Sequence, residues 1–260
     1  MQPFYLLRLK DSLKKLIKKS GYEIHKTIGE FPSDFTQKEV EIIKFVKPYT
    51  MTSNERLFAL IEAVRYVIHN RIPGSIVECG VWRGGSMMAV AKTLDQLNRN
   101  DIDLYLFDTF QGMPIPSKYD VDKFNKPAIS EFNEKSKDGK NSNWCFATLD
   151  EVQKNMILTN YPEERIHLIK GKVENTIPER APEVISILRL DTDWYESTKH
   201  ELENLFPRLS QGGVIIIDDY GYWSGAKKAV DEYFLQNNIM ILLNRVDNTG
   251  RAGIKLAQIR

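Results

Sequence analysis

The chain is organised by short, unbroken apolar runs that stop at acidic residues. Segments 75–79, 103–107, 165–169, 184–190 and 213–217 are rich in Ile, Val and Leu, with little alternation of apolar and polar positions. Such runs suit strands covered on both faces, as in a parallel sheet. Helix-forming stretches at 85–97, 149–160, 197–205 and 225–237 separate most of them. A further helix is predicted over 53–70, capped by Thr52 or Ser53, with Leu57, Leu60, Ile61 and Val64 on its buried face. This alternation predicts an open α/β sheet with helices on both faces. The last two expected strands, 239–244 and 253–259, are joined by "RVDNTGRA" with no helix between them. The sheet should therefore end in an antiparallel hairpin.

Length and charge narrow the classes further. A chain of 260 residues suits one domain with an appendage. A net charge of +1 leaves no basic footprint for nucleic acid. The two cysteines, Cys79 and Cys145, cannot build a disulfide framework and fit a reducing, cytoplasmic setting. No apolar run reaches the roughly 18 residues of a membrane span, and no signal-peptide core is visible. Residues 1–47 read as a basic amphipathic helix and a linker, with Leu6, Leu9, Leu13 and Leu16 set among Lys10, Lys14, Lys15 and Lys18. Such a helix either docks on protein or makes peripheral contact with the inner membrane face, where each basic residue contributes ~1 kcal/mol. The main domain is expected over 48–260. Segment 109–148, with Pro114, Pro116 and Pro127, interrupts its rhythm and reads as a lid insertion.

Ligands of open α/β sheets bind outside the carboxyl ends of the strands. At the first such end, "GSIVECGVWRGGSMMAV" gives strand, glycine turn and helix. Gly80 lets backbone approach a ligand, and Gly84 and Ser86 begin a helix with free N–H groups. Asp108 ends the next run, where an acid can accept both hydroxyls of a ribose. A dinucleotide needs G-x-G-x-x-G, but Trp82 stands where the second glycine would be. Glu78 adds negative charge. A ligand with an α-ammonium group and no phosphate fits better, and S-adenosylmethionine is one. Lys172 follows another run and either reaches this cofactor or faces solvent.

The remaining strand ends carry Asp191, Asp218 and Asp219. Like charges at one edge repel unless protonated or bridged by a cation. With oxygen donors and no His or Cys nearby, that cation should be hard: Mg²⁺ first, with Ca²⁺ or Mn²⁺ as alternatives. Asp193 lies two residues past Asp191, on the same side of an extended chain, and is placed to act as a general base. The competing reading pairs some of these acids with Arg189, Lys227 or Lys228, or makes them helix caps. Trp144, Tyr195 and Tyr220 are aromatic candidates for contact with the acceptor, although core packing explains any one of them equally well.

The stretches "PYTMTSNERLFALIEAVRYV", "GSIVECGVWRGGSMM", "LYLFDTFQGMP", "LRLDTDWYEST" and "GGVIIIDDYGYWSGAKKAVDEYF" together resemble the macrocin O-methyltransferase family, across roughly 48–234. The resemblance implies a Rossmann-like class I methyltransferase fold and Mg²⁺-dependent methyl transfer from S-adenosylmethionine to a sugar hydroxyl. The acceptor would be a glycosylated natural product or a surface glycan precursor. By the same resemblance, Asp191, Asp218 and Asp219 match metal ligands and Asp193 the base. Glu78, Gly80, Ser86 and Asp108 match the cofactor site, and Thr52 belongs to a segment that closes over it. The family often has Asp-Gly-Asp where this chain has Asp191-Thr192-Asp193. A homo-oligomer sharing lids between subunits is also implied. Two rival readings are an NAD-dependent sugar oxidoreductase or epimerase and a non-catalytic scaffold. The missing dinucleotide fingerprint weighs against the first, and the intact acids against the second.

Overall fold

Residues 31–136 and 142–256 are described by the computed structural model. In chain order, helices α1 (Gln37–Val46) and α2 (Asn54–His69) lead into β1 (Ser75–Cys79), α3 (Gly85–Gln96) and β2 (Leu104–Asp108). Then come α4 (Ala128–Lys135), α5 (Leu149–Ile157), β3 (Ile166–Lys170), the one-turn α6 (Val173–Thr176) and β4 (Ile185–Leu190). The chain continues through α7 (Tyr195–Leu205), β5 (Leu209–Ile217), α8 (Ser224–Gln236), β6 (Asn244–Arg245) and β7 (Arg251–Ile254).

The strands form one sheet in the order β3-β2-β1-β4-β5-β7-β6. β1 to β5 are parallel, β7 runs antiparallel to β5, and β6 antiparallel to β7. The unbroken run "ISILRL" of β4 follows from its position. It is central and all six residues are buried, so no solvent face calls for alternation. Ile185, Leu188 and Leu190 pack with Leu202 and Leu205 of α7 and with Val230, Tyr233 and Phe234 of α8. Strand order reverses between β1 and β4, which opens a crevice at their carboxyl ends.

Three expectations change. The terminal hairpin is shorter than 239–244 and 253–259, with ladder pairing confined to Asn244↔Ala252 and Arg245↔Arg251. Residues 239–243 instead lay Ile239, Ile241 and Leu243 against the core without joining the ladder. The expected linker before residue 48 contains α1, and the compact main unit begins at Thr36. The helix start is fixed by Glu39, whose carboxylate accepts the Thr36 N–H at 2.6 Å, and Ile42, Ile43 and Val46 are buried. The basic segment over 6–19 lies outside the described residues. The insertion carries α4 and is tied down by Asp120, which is buried and accepts the Ser117 and Tyr195 N–H groups at 2.6 and 2.8 Å. No helix among the described residues is long and apolar enough to cross a membrane.

Candidate active site

The crevice is built around the turn after β1. Gly80 has φ +85°, and a Cβ there would stand 2.1 Å from the Asp191 carbonyl oxygen. The ends of β1 and β4 are therefore in direct backbone contact. Asp108 holds the same turn from β2. Its Oδ2 accepts the N–H groups of Val81 at 2.7 Å and Trp82 at 3.0 Å, and its Oδ1 accepts that of Phe110 at 2.7 Å. The Thr109 hydroxyl lies 3.3 Å from Oδ1 but is closer to the Gly112 carbonyl at 2.8 Å, so a ligand hydroxyl could take its place on Asp108. Trp82 itself sits at φ 47°, in the left-handed region.

A cleft opens here, and Thr52, Gly80, Trp82, Ser86, Asp108, Lys172, Asp191, Asp193, Asp218 and Asp219 all border it. Glu78 and Gly84 lie outside its walls. Gly84 caps α3 at φ 90° and faces Val152 and Met156. Glu78 is 1% exposed, and its Oε2 has no hydrogen-bond partner.

A guanidinium organises the acids. Arg189 lies one residue before the end of β4, opposite Glu78 of β1 in the ladder. Its side chain is 3% exposed. It donates to Glu78 Oε1 at 2.5 Å, Asp191 Oδ2 at 2.7 Å, Asp218 Oδ1 at 2.5 Å and Thr52 Oγ1 at 3.3 Å. Arg56 of α2 closes on the other oxygen of Asp218 and also pairs with Asp247 at 3.0 Å. The carboxylates left to converge are Asp191, Asp193 and Asp219, which each offer an oxygen within 4.8 Å of the others. The expected metal set had Asp218 in place of Asp193; in the structure Asp218 is turned toward the two guanidiniums.

Six carboxylates (Glu78, Asp191, Asp193, Asp218, Asp219 and Asp247) thus gather around two guanidiniums, and acidic groups outnumber basic ones. Burial pushes Asp193 up to about 7, against a hydrogen bond with Asp219 that pulls it down. Burial, then the neighbouring Asp193, holds Asp219 well above its usual range. Burial also raises Asp191 strongly, with Arg189 opposing. Glu78 rises to about 7 for the same first reason, despite Arg189. Cys145 borders the cleft, but burial and the nearby acids keep its thiol protonated. All-oxygen donors with surplus negative charge fit a hard divalent cation. A stability consequence follows. Folding raises Glu78 and Asp193 above their unfolded values of 4.5 and 3.8 to about 7, so the folded state holds more protons in that window. Their contribution is fully present below the unfolded values and is lost as pH rises to about 7. The metal-free protein should melt at higher temperature at pH 5 than at pH 8, and millimolar Mg²⁺ should narrow that gap by raising the value at pH 8. Scanning calorimetry checks both.

The aromatic candidates fare differently. Tyr195 is bonded through its hydroxyl to Glu232 at 2.7 Å, and Tyr220 to Asp231 at 2.6 Å. Both acids belong to α8, and neither tyrosine borders the cleft. Trp144 does not border it either; it packs edge-on against Trp194 and Trp223 at 5.5 and 5.9 Å, with the Lys135 ammonium over its ring. Arg56, Met51 and Cys145 are cleft residues that pattern reading missed. Arg189 figured there as one candidate partner, and the signal for its larger part is a charge inside an otherwise apolar strand. Such a charge must be paired.

The reversal of strand order, the glycine turn at its switch point and the acids on the adjoining strand ends define a Rossmann-like methyltransferase. A solved O-methyltransferase, NovP, has the same fold, with a TM-score of 0.70 at 29% identity over 80% of this chain and 83% of that one. The calicheamicin methyltransferase CalS11 shares the fold at a TM-score of 0.59 and 17% identity, over 90% of this chain and 98% of that one. The model of the Macrocin-O-methyltransferase (TylF) family matches residues 12–252, and the chain belongs to that family. The demethyldecarbamoylnovobiocin O-methyltransferase of Streptomyces niveus is 32% identical over 78% of this chain and 74% of its own length. A Streptomyces olivaceus relative, the 8-demethyl-8-(2,3-dimethoxy-alpha-L-rhamnosyl)-tetracenomycin-C 4'-O-methyltransferase, is 31% identical over 78% and 74%. The protein is an O-methyltransferase.

Proposed function

We propose that the chain transfers the methyl group of S-adenosylmethionine to a sugar hydroxyl, with Mg²⁺ held at the ends of β4 and β5. The observation that carries this reading is the convergence of Asp191, Asp193 and Asp219 beside the Gly80 turn, with more negative charge than Arg189 and Arg56 neutralise. A rhamnosyl group appears in the name of one relative's acceptor, which supports a sugar here.

The residues divide by task. Glu78, buried behind the cleft wall and bonded to Arg189, would act on a cationic amino group through its charge rather than by contact. Asp108 suits ribose hydroxyls, and Ser86, Lys172 and Thr52 border the same cavity. Asp191, Asp218 and Asp219 would hold the cation, which supplies a Lewis acid that makes a nearby hydroxyl more acidic. Asp193, two residues past Asp191 and beside Asp219, takes the acceptor proton as a base. The hydroxyl oxygen forms a bond to the donated methyl carbon as that carbon's bond to sulfur breaks. Neutral S-adenosylhomocysteine leaves, and the proton resides on Asp193. Placement of two reactants in one cleft supplies much of the rate.

Titration calorimetry of the Mg²⁺-supplemented protein with S-adenosylhomocysteine, set beside NAD⁺, tests the cofactor assignment. Micromolar binding of S-adenosylhomocysteine alone is expected. Binding of NAD⁺ alone would overturn it, because Trp82 in the turn would then have been accommodated by a pyrophosphate.

A further inference from the structure

Glu201 of α7 is fully buried and has no part in the functions assigned so far. Burial is the first cause that raises it, Glu174 and Asp191 add to it, and hydrogen bonds with Thr192 and the Cys79 thiol oppose it. Its Oε1 accepts the Thr192 hydroxyl at 2.9 Å. An acid so enclosed costs stability, which makes its bond to Thr192 informative.

Thr192 stands between Asp191 and Asp193 and borders the cleft. Asp193 has φ 69°, in the left-handed region, which aspartate enters more readily than most residues with a Cβ but which is still held by its surroundings here. After Asp193 the chain is held by the Trp194 N–H on the Thr192 carbonyl at 2.8 Å, by Trp194 Nε1 on the Pro114 carbonyl at 3.0 Å and by the Tyr195 N–H on Asp120 at 2.8 Å. Before it, the Asp191 N–H bonds the Cys79 carbonyl at 2.8 Å. The Thr192 hydroxyl ties the middle of this turn to α7.

We propose that the Thr192–Glu201 hydrogen bond is a positioning device that fixes the left-handed turn at Asp193 and so sets the spacing of the Asp191, Asp193 and Asp219 oxygens. This inference rests on the reading of Asp191 and Asp219 as cation ligands with the Asp193 carboxylate beside them. Thr192→Val removes the hydroxyl at nearly constant shape; Thr192→Ser keeps it, and Glu201→Gln keeps an acceptor for it. The full chain and these variants are titrated with Mn²⁺, followed by electron paramagnetic resonance, and separately with S-adenosylhomocysteine. Expected is a loss of about tenfold in Mn²⁺ affinity for Thr192→Val, in the range seen when a partner behind a ligand is removed. Thr192→Ser and Glu201→Gln should stay within about twofold of the parent by the same measure, and S-adenosylhomocysteine affinity should be unchanged in all. Equal Mn²⁺ affinity in Thr192→Val and the parent overturns the inference. So does a parallel loss of both ligands that serine does not restore, because that marks a packing role. A parent chain that binds neither ligand overturns the cation-site reading itself, and the inference with it.

Discussion

Asp193→Asn should lower turnover by about 10²- to 10⁴-fold while S-adenosylhomocysteine and Mg²⁺ bind as in the parent protein. The substitution keeps the size of the side chain and removes its ability to take a proton. Steady-state rates with a methyl-accepting sugar, together with calorimetry for each ligand, read the two effects separately. The result also decides between two ligand sets. In the structure the oxygen of Asp193 lies with those of Asp191 and Asp219, whereas Asp218 faces Arg189 and Arg56. If Asp193→Asn loses Mg²⁺ affinity as sharply as Asp191→Asn does, Asp193 is a ligand and the base must be sought elsewhere. If affinity is kept and turnover is lost, Asp218 completes the ligand set and Asp193 is the base.

Arg189→Met should destabilise the protein by about 3–5 kcal/mol, the usual cost of removing one partner from a buried ion cluster. For a domain of this size each kcal/mol moves the melting temperature by about 2–4 °C, so a fall of roughly 6–20 °C is expected. The cause is specific. Glu78, Asp191 and Asp218 all bond this guanidinium, and its removal leaves Glu78 and Asp191 without a cationic partner and Asp218 with Arg56 alone. Acid should relieve the defect, because protonating the carboxylates removes the repulsion; the deficit should be smaller at pH 5 than at pH 8. Arg189→Lys should recover part of the loss, since one ammonium cannot span three carboxylates as a planar fork does. Scanning calorimetry at both pH values gives these numbers. A fall of under 2 °C at pH 8 would contradict the account.

The sheet was legible because its strands are buried on both faces, and burial of that kind writes itself as runs of Ile, Val and Leu. The acids were legible because each ends such a run. What could not be read was anything set by register. Arg189 reaches Glu78 because β1 and β4 align those two residues, and a linear pattern of apolar positions does not contain that alignment. The same holds for Tyr195 and Tyr220. Both stand next to the acid motifs in sequence, yet helical geometry aims their hydroxyls at Glu232 and Asp231 of α8. α1 was hidden because its few apolar positions lie among charged ones, and the helix is legible mainly through its Glu39 cap. The terminal hairpin was over-extended for a different reason. Residues 239–243 are apolar enough for a strand, but their inward side chains are satisfied by core packing without a ladder.

Gly80 carries a last implication. With the glycine backbone pressed against the Asp191 carbonyl, no side chain separates the turn that faces the cofactor from the strand end that bears the first acid. The two subsites share one wall one atom layer thick. A side chain at position 80 would press on the Asp191 backbone, so a substitution of Gly80 itself should disturb the donor and cation sites together. The 109–148 insertion is tied to the far side of the turn after β4 by Asp120, which accepts the Tyr195 N–H, and by the Pro114 carbonyl, which accepts Trp194 Nε1. A chain on this plan keeps its donor and cation geometry locked together.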